Sequence, residues 1–280
     1  MSRTRAHETD FLSVMARASR ERARRLAARV SSHELRRRVN ALPPAPRLAL
    51  SRAGFDLIAE VKFASPSLGQ LGENPSAQHA AGRARCYAEA GACALSVLTE
   101  PVRFAGSLAH LRAAAGASSA PVLRKDFLVA PLQVLQARAA GAGGVLLVLR
   151  ILDDAELEHM LAACAGCGLF ALLEAFDEPD LERAARVVDE TRGVTLLVGL
   201  NARDLGTLQV DRERCLRLAA RLPGGVPAVA ESGIESADDA RAAAQAGYTL
   251  ALVGTALMRA SDPAAEIRAL LAAGRAGRRQ

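Results

Sequence analysis

The sequence predicts a (β/α)8 TIM barrel with an N-terminal helical extension, and three observations support this fold class. From residue 56 onward, short apolar and often β-branched runs alternate with Ala-, Arg- and Glu-rich stretches of helical period. Several of those helical stretches end in glycine just before the next run, as at Gly91, Gly141, Gly168 and Gly247. Eight such units in roughly 220 residues match the size of a TIM barrel.

The predicted strands follow one another at spacings that leave room for one helix in each crossover. They read DLIAEV (56–61), ALSVL (94–98), PVLRK (121–125), GVLLVL (144–149), LFALLE (169–174), LLVGLN (196–201), PAVAE (227–231) and TLALVG (249–254). A doubly wound open sheet is the second candidate, but it requires a glycine-rich turn after its first strand. The stretch VKFASPS at that place is not such a turn, so the barrel is favoured.

The 280 residues divide into three expected segments. Residues 1–50 are expected to form a basic helical extension packed on the barrel, residues 51–273 the barrel itself, and residues 274–280 a flexible tail. The first segment holds twelve Arg against four acidic residues, whereas the whole chain carries a net charge of +6. An apolar stripe within it predicts an amphipathic helix. The stripe consists of Leu12, Met15, Ala16, Ser19, Ala23, Leu26, Ala27 and Val30.

Composition argues against several classes of partner. The basic face of the N-terminal segment has no interleaved aromatic residues and no known reader motif, so we interpret it as a solvated helix face and expect no nucleic-acid partner. No apolar run is long enough to span a bilayer, and the polar start MSRTRAHETD lacks the apolar core of a signal peptide. We therefore expect no membrane partner, a cytoplasmic location, and a monomer or weak homodimer.

The five cysteines give no indication of a metal or redox site. They are odd in number and scattered, and the lone CxxC pair of Cys164 and Cys167 has no second pair and no nearby histidine. Small residues on a helix facing a sheet explain this pair better than zinc or redox chemistry. We expect reduced thiols, no metal and no cofactor.

Lysine is rare in this chain, because only Lys62 and Lys125 interrupt a set of 36 basic side chains that are otherwise arginine. The pKa of an ammonium falls readily on burial, so a lysine can act as a general acid where an arginine cannot. GC-rich coding would also leave few lysines, but stray ones should mostly lie on exposed helices. Instead Lys62 follows the first predicted strand and Lys125 ends the third, at the barrel face where active sites lie. The sequence therefore predicts proton or charge chemistry at one mouth of the barrel.

Other polar residues end predicted strands at the same face. Glu60, Glu174 and Glu231 end strands one, five and seven, and Asn201 ends strand six, with Arg203 just after it. Buried carboxylates are costly unless paired, so the glutamates and the two lysines are expected to compensate one another. A purely structural belt of ion pairs is the alternative interpretation.

The loops after strands seven and eight carry a phosphate-binding pattern. Ser232 and Gly233 precede one predicted helix, and Gly254 and Thr255 open another. Glycines let backbone N–H groups approach an anion, helix N-termini favour negative charge, and barrels commonly bind phosphate at these two loops. The two loops together predict a phosphorylated small-molecule substrate. The alternative is that these glycines only permit tight turns.

Together these motifs resemble indole-3-glycerol-phosphate synthase, a family with a helical extension before its first strand. The resemblance rests on IAEVK (58–62) with SPS (65–67), SVLT (96–99), VLRKDF (122–127), NARDL (201–205), ESGI (231–234) and VGTALMR (253–259). It implies a lyase of tryptophan biosynthesis that closes a ring in carboxyphenylamino-deoxyribulose phosphate, then releases carbon dioxide and water, without metal or organic cofactor.

The resemblance also implies roles for the strand-end residues. Lys125 would protonate the ketose carbonyl oxygen, Glu174 would act as the base of the dehydration, and Lys62 would neutralise an anionic group of the substrate and take part in proton transfer. Glu60 and Asn201 would hold the leaving hydroxyl, with Glu231 tuning the lysines. The substrate-binding residues implied by similarity are Ser65, Phe127, Arg203, Glu231, Ser232, Gly233, Gly254 and Thr255.

Departures from the family pattern leave alternatives open. Phe63 and Leu68 stand where basic residues are frequent, Arg150 stands where a small residue is commoner, and Ala202 and Phe176 also depart. These changes leave room for a specialised copy acting on a substituted anthranilate-derived substrate. A related phosphate-binding barrel isomerase such as phosphoribosylanthranilate isomerase is disfavoured by Glu60, since a catalytic Cys is expected there. A binding protein on a catalytically silent barrel, using its basic extension on nucleic acid, has no reason to keep both lysines and all three glutamates.

Overall fold

The computed structural model describes residues 11–66, 69–71, 75–204, 207 and 209–278. Eight parallel strands form a closed barrel in which each strand pairs with its neighbours in chain order and the last pairs with the first. They span Asp56–Val61, Ala94–Leu98, Val122–Lys125, Gly144–Val148, Phe170–Ala175, Leu196–Asn201, Ala228–Glu231 and Leu250–Val253. The predicted fold class is confirmed, and each strand ends within one residue of its predicted limits.

Helices α1 to α11 and two short 3-10 segments surround the strands. The helices span Phe11–Ala27, Ser32–Asn40, Ala77–Glu89, Leu108–Ala117, Pro131–Ala139, Asp154–Cys167, Glu178–Glu190, Arg212–Leu218, Ala237–Ala246, Thr255–Arg259 and Pro263–Gly277. The 3-10 segments span Leu149–Ile151 and Ala219–Arg221, and Ala64–Ser65 pairs with Gly69–Gln70 in a small antiparallel hairpin after the first strand.

Local sequence signals explain where these helices begin and end. The carboxylate of Asp153 accepts from the backbone N–H of Glu156 at 2.8 Å, and the Glu156 carboxylate accepts in return from the Asp153 N–H at 3.0 Å, which caps α6. Gly168 and Gly247 follow α6 and α9 in the left-handed region, at φ 65° and 115°. The free thiols Cys164 and Cys167 are both buried on α6.

The strands are buried along almost their whole length, which explains why they read as continuous apolar runs. The helices pack closely against them. A β-carbon at Gly274 of α11 would lie 2.1 Å from the ring of Phe55, so only glycine allows this approach. Helix α11 extends to Gly277, past residue 273 where the flexible tail was expected to begin. Residues 279–280 of the predicted tail lie outside the described residues.

The N-terminal helices α1 and α2 lie against the barrel helices. The predicted stripe of α1 is buried from Leu12 to Ala23, whereas Leu26, Ala27 and Val30 are more exposed. The hydroxyl of Ser19 accepts from the amide of Gln133 on α5 at 3.0 Å. Residues 1–10 lie outside the described part of the chain. Within the described part, none of the helices has the length and apolar character needed to cross a bilayer.

Candidate active site

One pocket opens at the carboxyl ends of the barrel strands and encloses about 1030 Å³, including the part open to solvent. Every residue that the sequence predicted for the site lines this pocket. They are Glu60, Lys62, Ser65, Lys125, Phe127, Glu174, Asn201, Arg203, Glu231, Ser232, Gly233, Gly254 and Thr255. Their roles in binding and catalysis stay predictions, but their convergence is a structural fact.

Lys125 ends the third strand and points its ammonium at two carboxylates. Its Nζ lies 3.4 Å from Glu174 Oε1 and 3.1 Å from Glu231 Oε2. Burial alone lowers the pKa of Lys125, but Glu174, Glu231 and Glu60 together raise the pKa above its ordinary value. The sequence argument noted the effect of burial and expected the glutamates to compensate the lysines, and the net shift of the Lys125 pKa is upward. In this arrangement Lys125 is held as a charged proton donor.

Lys62 follows the first strand and has its own partner. Its Nζ lies 3.0 Å from Glu60 Oε1, and the Glu60 side chain is 4% exposed. A β-carbon at Gly254, after the eighth strand, would lie 2.5 Å from the same oxygen of Glu60. Gly254 therefore makes room for a carboxylate, a requirement that the sequence pattern did not indicate.

Glu231 is the most enclosed of the three strand-end glutamates. Its Oε2 faces Lys125, whereas its buried Oε1 has no hydrogen-bond partner among the described residues. A β-carbon at Gly199 would lie 2.0 Å from that Oε1, so the carboxylate lies directly against the sixth strand. Burial raises the pKa of Glu231 to about 8 even though Lys125 opposes the shift. The Glu231 carboxyl therefore keeps its proton to higher pH than an ordinary glutamate.

Asn201 connects the fifth and sixth strands. Its Nδ2 donates to Glu174 Oε1 at 2.7 Å, and its Oδ1 accepts from the backbone N–H of Arg203 at 2.9 Å. It thus both faces the pocket and caps a turn. Burial lowers the pKa of the Arg203 guanidinium, which lines the pocket beside Asn201. Asp204 accepts from the backbone N–H of Thr207 at 2.8 Å and caps the following turn.

The two loops proposed for phosphate have an unusual backbone. Ser232 and Gly233 adopt φ values of 65° and 79°, and α9 begins a few residues later with Ser236 as its N-cap. Two successive left-handed residues require at least one glycine, and a β-carbon at Gly233 would also lie 2.7 Å from Arg212 Cγ. The turn therefore needs Gly233 whether or not it binds an anion, and phosphate binding stays a prediction.

Aromatic side chains form the apolar wall of the pocket. Phe127 makes an edge-to-face contact with Phe11 of α1, with ring centroids 6.0 Å apart, and lies 6.3 Å from the ring of Phe104. All three rings line the pocket. Sequence reasoning found Phe127 but missed Phe11 and Phe104, because no local pattern shows that α1 reaches the barrel mouth.

Two of the departures noted in the sequence, Phe63 and Arg150, lie away from the pocket lining. Phe63 is buried and packs on the ring of His110 with centroids 4.9 Å apart. The guanidinium of Arg150 lies 5.0 Å from the Phe176 ring centre and pairs with Asp180 at 2.8 Å. Among the described residues that line the pocket, neither Phe63 nor Arg150 appears. Leu68 lies outside the described residues.

Comparison with known proteins agrees with this geometry. The family model described as indole-3-glycerol phosphate synthase matches residues 13–270. A protein of that name from Micrococcus luteus is 46% identical over 241 residues, covering 83% of this chain and 87% of the relative. Another from Parafrankia sp. is 44% identical over 259 residues, covering 92% and 91%.

Solved structures resemble the chain at the level of the barrel. A 3-hexulose-6-phosphate synthase from Salmonella typhimurium has a TM-score of 0.60 at 15% identity, covering 79% of this chain and 98% of that structure. An orotidine 5'-phosphate decarboxylase from Pyrococcus horikoshii OT3 has a TM-score of 0.58 at 14% identity, covering 78% and 99%. At such identities the likeness establishes the fold alone, whereas the family match covers most of the sequence. The chain belongs to the indole-3-glycerol phosphate synthase family.

Proposed function

We propose that this protein converts 1-(2-carboxyphenylamino)-1-deoxyribulose 5-phosphate to indole-3-glycerol phosphate, with release of carbon dioxide and water. The observation that carries the proposal is the placement of Lys125 between Glu174 and Glu231, at 3.4 and 3.1 Å, in a pocket that also holds the Lys62–Glu60 pair. Two partly buried ammonium groups and three carboxyl groups suit a reaction that moves several protons within one small substrate.

The first step needs a proton donor at a ketone. The ring carbon that bears the carboxylate forms a bond to the ketose carbonyl carbon, and Lys125 gives a proton to the carbonyl oxygen. The ring carboxylate then leaves as carbon dioxide, and its bonding pair restores the aromatic ring. The carboxylates raise the pKa of Lys125, which supports the charged form that this step requires.

The second step removes water. The new hydroxyl leaves after accepting a proton, and Glu174 takes a proton from the methylene carbon between the nitrogen and the hydroxyl-bearing carbon, which completes the indole double bond. Asn201 fixes Glu174 through its 2.7 Å hydrogen bond, and the Lys62–Glu60 pair offers a proton donor and an acceptor for the leaving hydroxyl. Because Lys125 also contacts Glu174, proton return between the two groups has a direct path.

The remaining pocket residues suit the two ends of the substrate. The rings of Phe11, Phe104 and Phe127 offer an apolar wall for the carboxyphenyl group. The loops at Ser232–Gly233 and Gly254–Thr255 offer backbone and hydroxyl donors to the phosphate, and Arg203 and Ser65 complete the lining. Phe63 and Arg150 are not among the described residues that line the pocket. These two departures therefore give no reason to expect a substrate with a substituted aromatic ring.

The direct test is the appearance of indole fluorescence when purified protein is mixed with the carboxyphenylamino substrate. The protein contains no tryptophan, so the indole signal of the product has little background. We expect turnover with one carbon dioxide released per indole formed, and unchanged turnover after treatment with a chelator. Absence of both products would reject the proposal. We further propose a cytoplasmic monomer or weak homodimer, which sedimentation analysis tests.

A further inference from the structure

The N-terminal helix α1 reaches into the barrel through one arginine. The Arg22 guanidinium places Nη2 2.6 Å from Asp126 Oδ1 and Nη1 3.6 Å from Glu100 Oε1. Both carboxylate side chains are enclosed, at 1% and 0% exposure. Two buried acids in two different βα loops thus share a cation that comes from outside the barrel.

Asp126 follows Lys125 in the chain and lines the pocket, yet its oxygens are already occupied. Its Oδ1 accepts from Arg22 and from the backbone N–H of Phe127 at 2.8 Å. Its Oδ2 accepts from the Thr99 hydroxyl at 2.8 Å and from Arg124 Nη2 at 3.1 Å. A carboxylate with four charge-assisted or neutral donors is poorly suited to exchange protons with a substrate. Its structural effect is to fix the turn that follows Lys125.

The residues beside Lys125 are held by the same network. Arg124 donates from Nε to the Thr99 hydroxyl at 3.0 Å, and the backbone N–H of Thr99 donates to the carbonyl of Lys125 at 3.0 Å. The backbone before, at and after Lys125 is therefore tied to Thr99 and Asp126. Of the donors to Asp126 described here, only Arg22 comes from the N-terminal extension.

Glu100 extends the network to the second loop. Its carboxylate accepts from the backbone N–H groups of Val102, Arg103 and Phe104, at 3.0, 2.6 and 3.2 Å. The Phe104 ring lies against that of Phe127 in the pocket wall. Arg22 thus contacts both carboxylates, Glu100 and Asp126, that hold the backbone of the two loops carrying these rings.

We propose that Arg22 is a positioning residue for Lys125, so that the N-terminal helix is a working part of the active site. Arg22 is not among the described residues that line the pocket. It acts by fixing the turn at Asp126 and the loop at Glu100. These two segments in turn determine the positions of the Lys125 ammonium and of the Phe104 and Phe127 rings relative to the substrate. Small displacements of a reacting group lower turnover steeply. Loss of the Arg22 contacts should therefore lower kcat more than it changes KM. The inference rests on the proposed function, because its readout is turnover.

Arg20 provides a matched control on the same helix. It also bridges α1 to the barrel, with Nη2 3.2 Å from Glu156 Oε1 and 3.3 Å from the carbonyl of Ile151. Glu156 lies on α6 and is not part of the pocket lining. Loss of Arg20 removes an attachment of α1 without touching Asp126 or Glu100.

The experiment compares Arg22→Met and Arg20→Met with wild type by melting temperature, kcat and KM. We expect Arg22→Met to lower kcat roughly tenfold to a hundredfold with KM within a few-fold. Arg20→Met should keep kcat. Equal kcat in wild type and Arg22→Met, or equal losses in both variants, would overturn the inference.

Two further measurements distinguish loss of positioning from loss of folding. Arg22→Lys keeps a charge beside Asp126 but cannot form two parallel guanidinium contacts, so we expect an intermediate kcat. Arg22→Ala should recover part of its kcat with guanidinium at about 10 mM, whereas Arg20→Ala should not. If Arg22→Lys has wild-type kcat and guanidinium has no effect on Arg22→Ala, positioning by Arg22 is wrong. An inactive wild type would instead reject the proposed function itself.

Discussion

Asn201 and Lys125 meet at one oxygen atom of Glu174. The amide nitrogen of Asn201 lies 2.7 Å from Glu174 Oε1, and the ammonium of Lys125 lies 3.4 Å from the same atom. Asn201 is itself fixed, since its oxygen accepts from the backbone N–H of Arg203. The carboxylate is thus oriented by one neutral and one charged donor from two different strands. This arrangement links the proposed acid and the proposed base of the reaction directly.

The first prediction concerns the proposed acid. Lys125→Arg keeps a positive charge near Glu174 and Glu231 but removes a proton that can be transferred, so kcat should fall roughly a hundredfold or more. KM should change far less. Stopped assays of indole formation measure both parameters, and a melting curve checks that the variant folds.

Lys62→Arg serves as the comparison for this variant. It makes the same exchange of an ammonium for a larger guanidinium, but at the Glu60 pair. Comparing the two variants shows how much each lysine contributes to turnover. If Lys125→Arg turned over within a few-fold of wild type, the general-acid role would belong elsewhere.

The second prediction concerns the proposed base. Glu174→Gln keeps the side-chain shape and leaves an oxygen that can accept from Asn201, but it cannot take up a proton. We expect kcat to fall by roughly a hundredfold or more and the acidic limb of the pH–rate profile to vanish or move. Rates measured from pH 5 to pH 9 give the profile. An unchanged profile would assign the base to Glu60.

The sequence predicts the barrel well because the evidence for it is local. Each strand is a short apolar run, each crossover has helical period, and glycines such as Gly168 and Gly247 follow the helices in the left-handed region. Polar residues at strand ends also converge by geometry, since all strands of a parallel barrel end at one face. This is why Lys62 and Lys125, far apart in the chain, were correctly placed in one pocket.

Features that depend on docking of distant parts were not predictable. Phe11 reaches the pocket only because α1 lies against the barrel, and nothing near it in the sequence indicates that position. The raised pKa of Lys125 depends on carboxylates from three strands, and the sequence, which indicated their pairing with the lysines, did not show whether they would outweigh burial. Gly254 was predicted to help bind phosphate. The space that it leaves for the Glu60 carboxylate is evident only from the structure.

The third prediction follows from the raised pKa of Glu231. A carboxyl whose pKa rises to about 8 in the folded protein binds a proton more tightly when folded than when unfolded. Its contribution to stability is therefore present below about pH 4.5, the unfolded value, and is lost as pH rises through about 8. Lys125, with its raised pKa, stays charged throughout this range.

Glu231→Gln should remove this dependence. The variant resembles neutral Glu231, so its melting temperature should be close to wild type at pH 5 and should rise relative to wild type up to pH 8.5. Melting curves at half-unit pH steps measure the difference. Glu156→Gln, which changes a carboxyl on α6 away from the pocket, is the control. A constant difference across the range would mean that Glu231 titrates normally.

The last prediction tests the anion site. If the Ser232–Gly233 and Gly254–Thr255 loops bind phosphate, millimolar inorganic phosphate should raise the melting temperature, since a ligand that binds only the folded state stabilises it. It should also inhibit competitively. Gly233→Ala is a poor probe, because the residue has φ 79° and its β-carbon would lie 2.7 Å from Arg212 Cγ. Ser232→Gly combined with Thr255→Val removes both hydroxyls without such strain.

The double variant should bind phosphate roughly tenfold or more weakly, as expected for loss of hydrogen bonds to a charged group. Lys125→Met should keep the phosphate response, because its ammonium faces Glu174 and Glu231 instead of the two loops. Thermal shifts across a phosphate titration measure all three proteins. Equal stabilisation of the wild type and the double variant would place the anion elsewhere, with the exposed arginines of α1 and α2 as the next site to test.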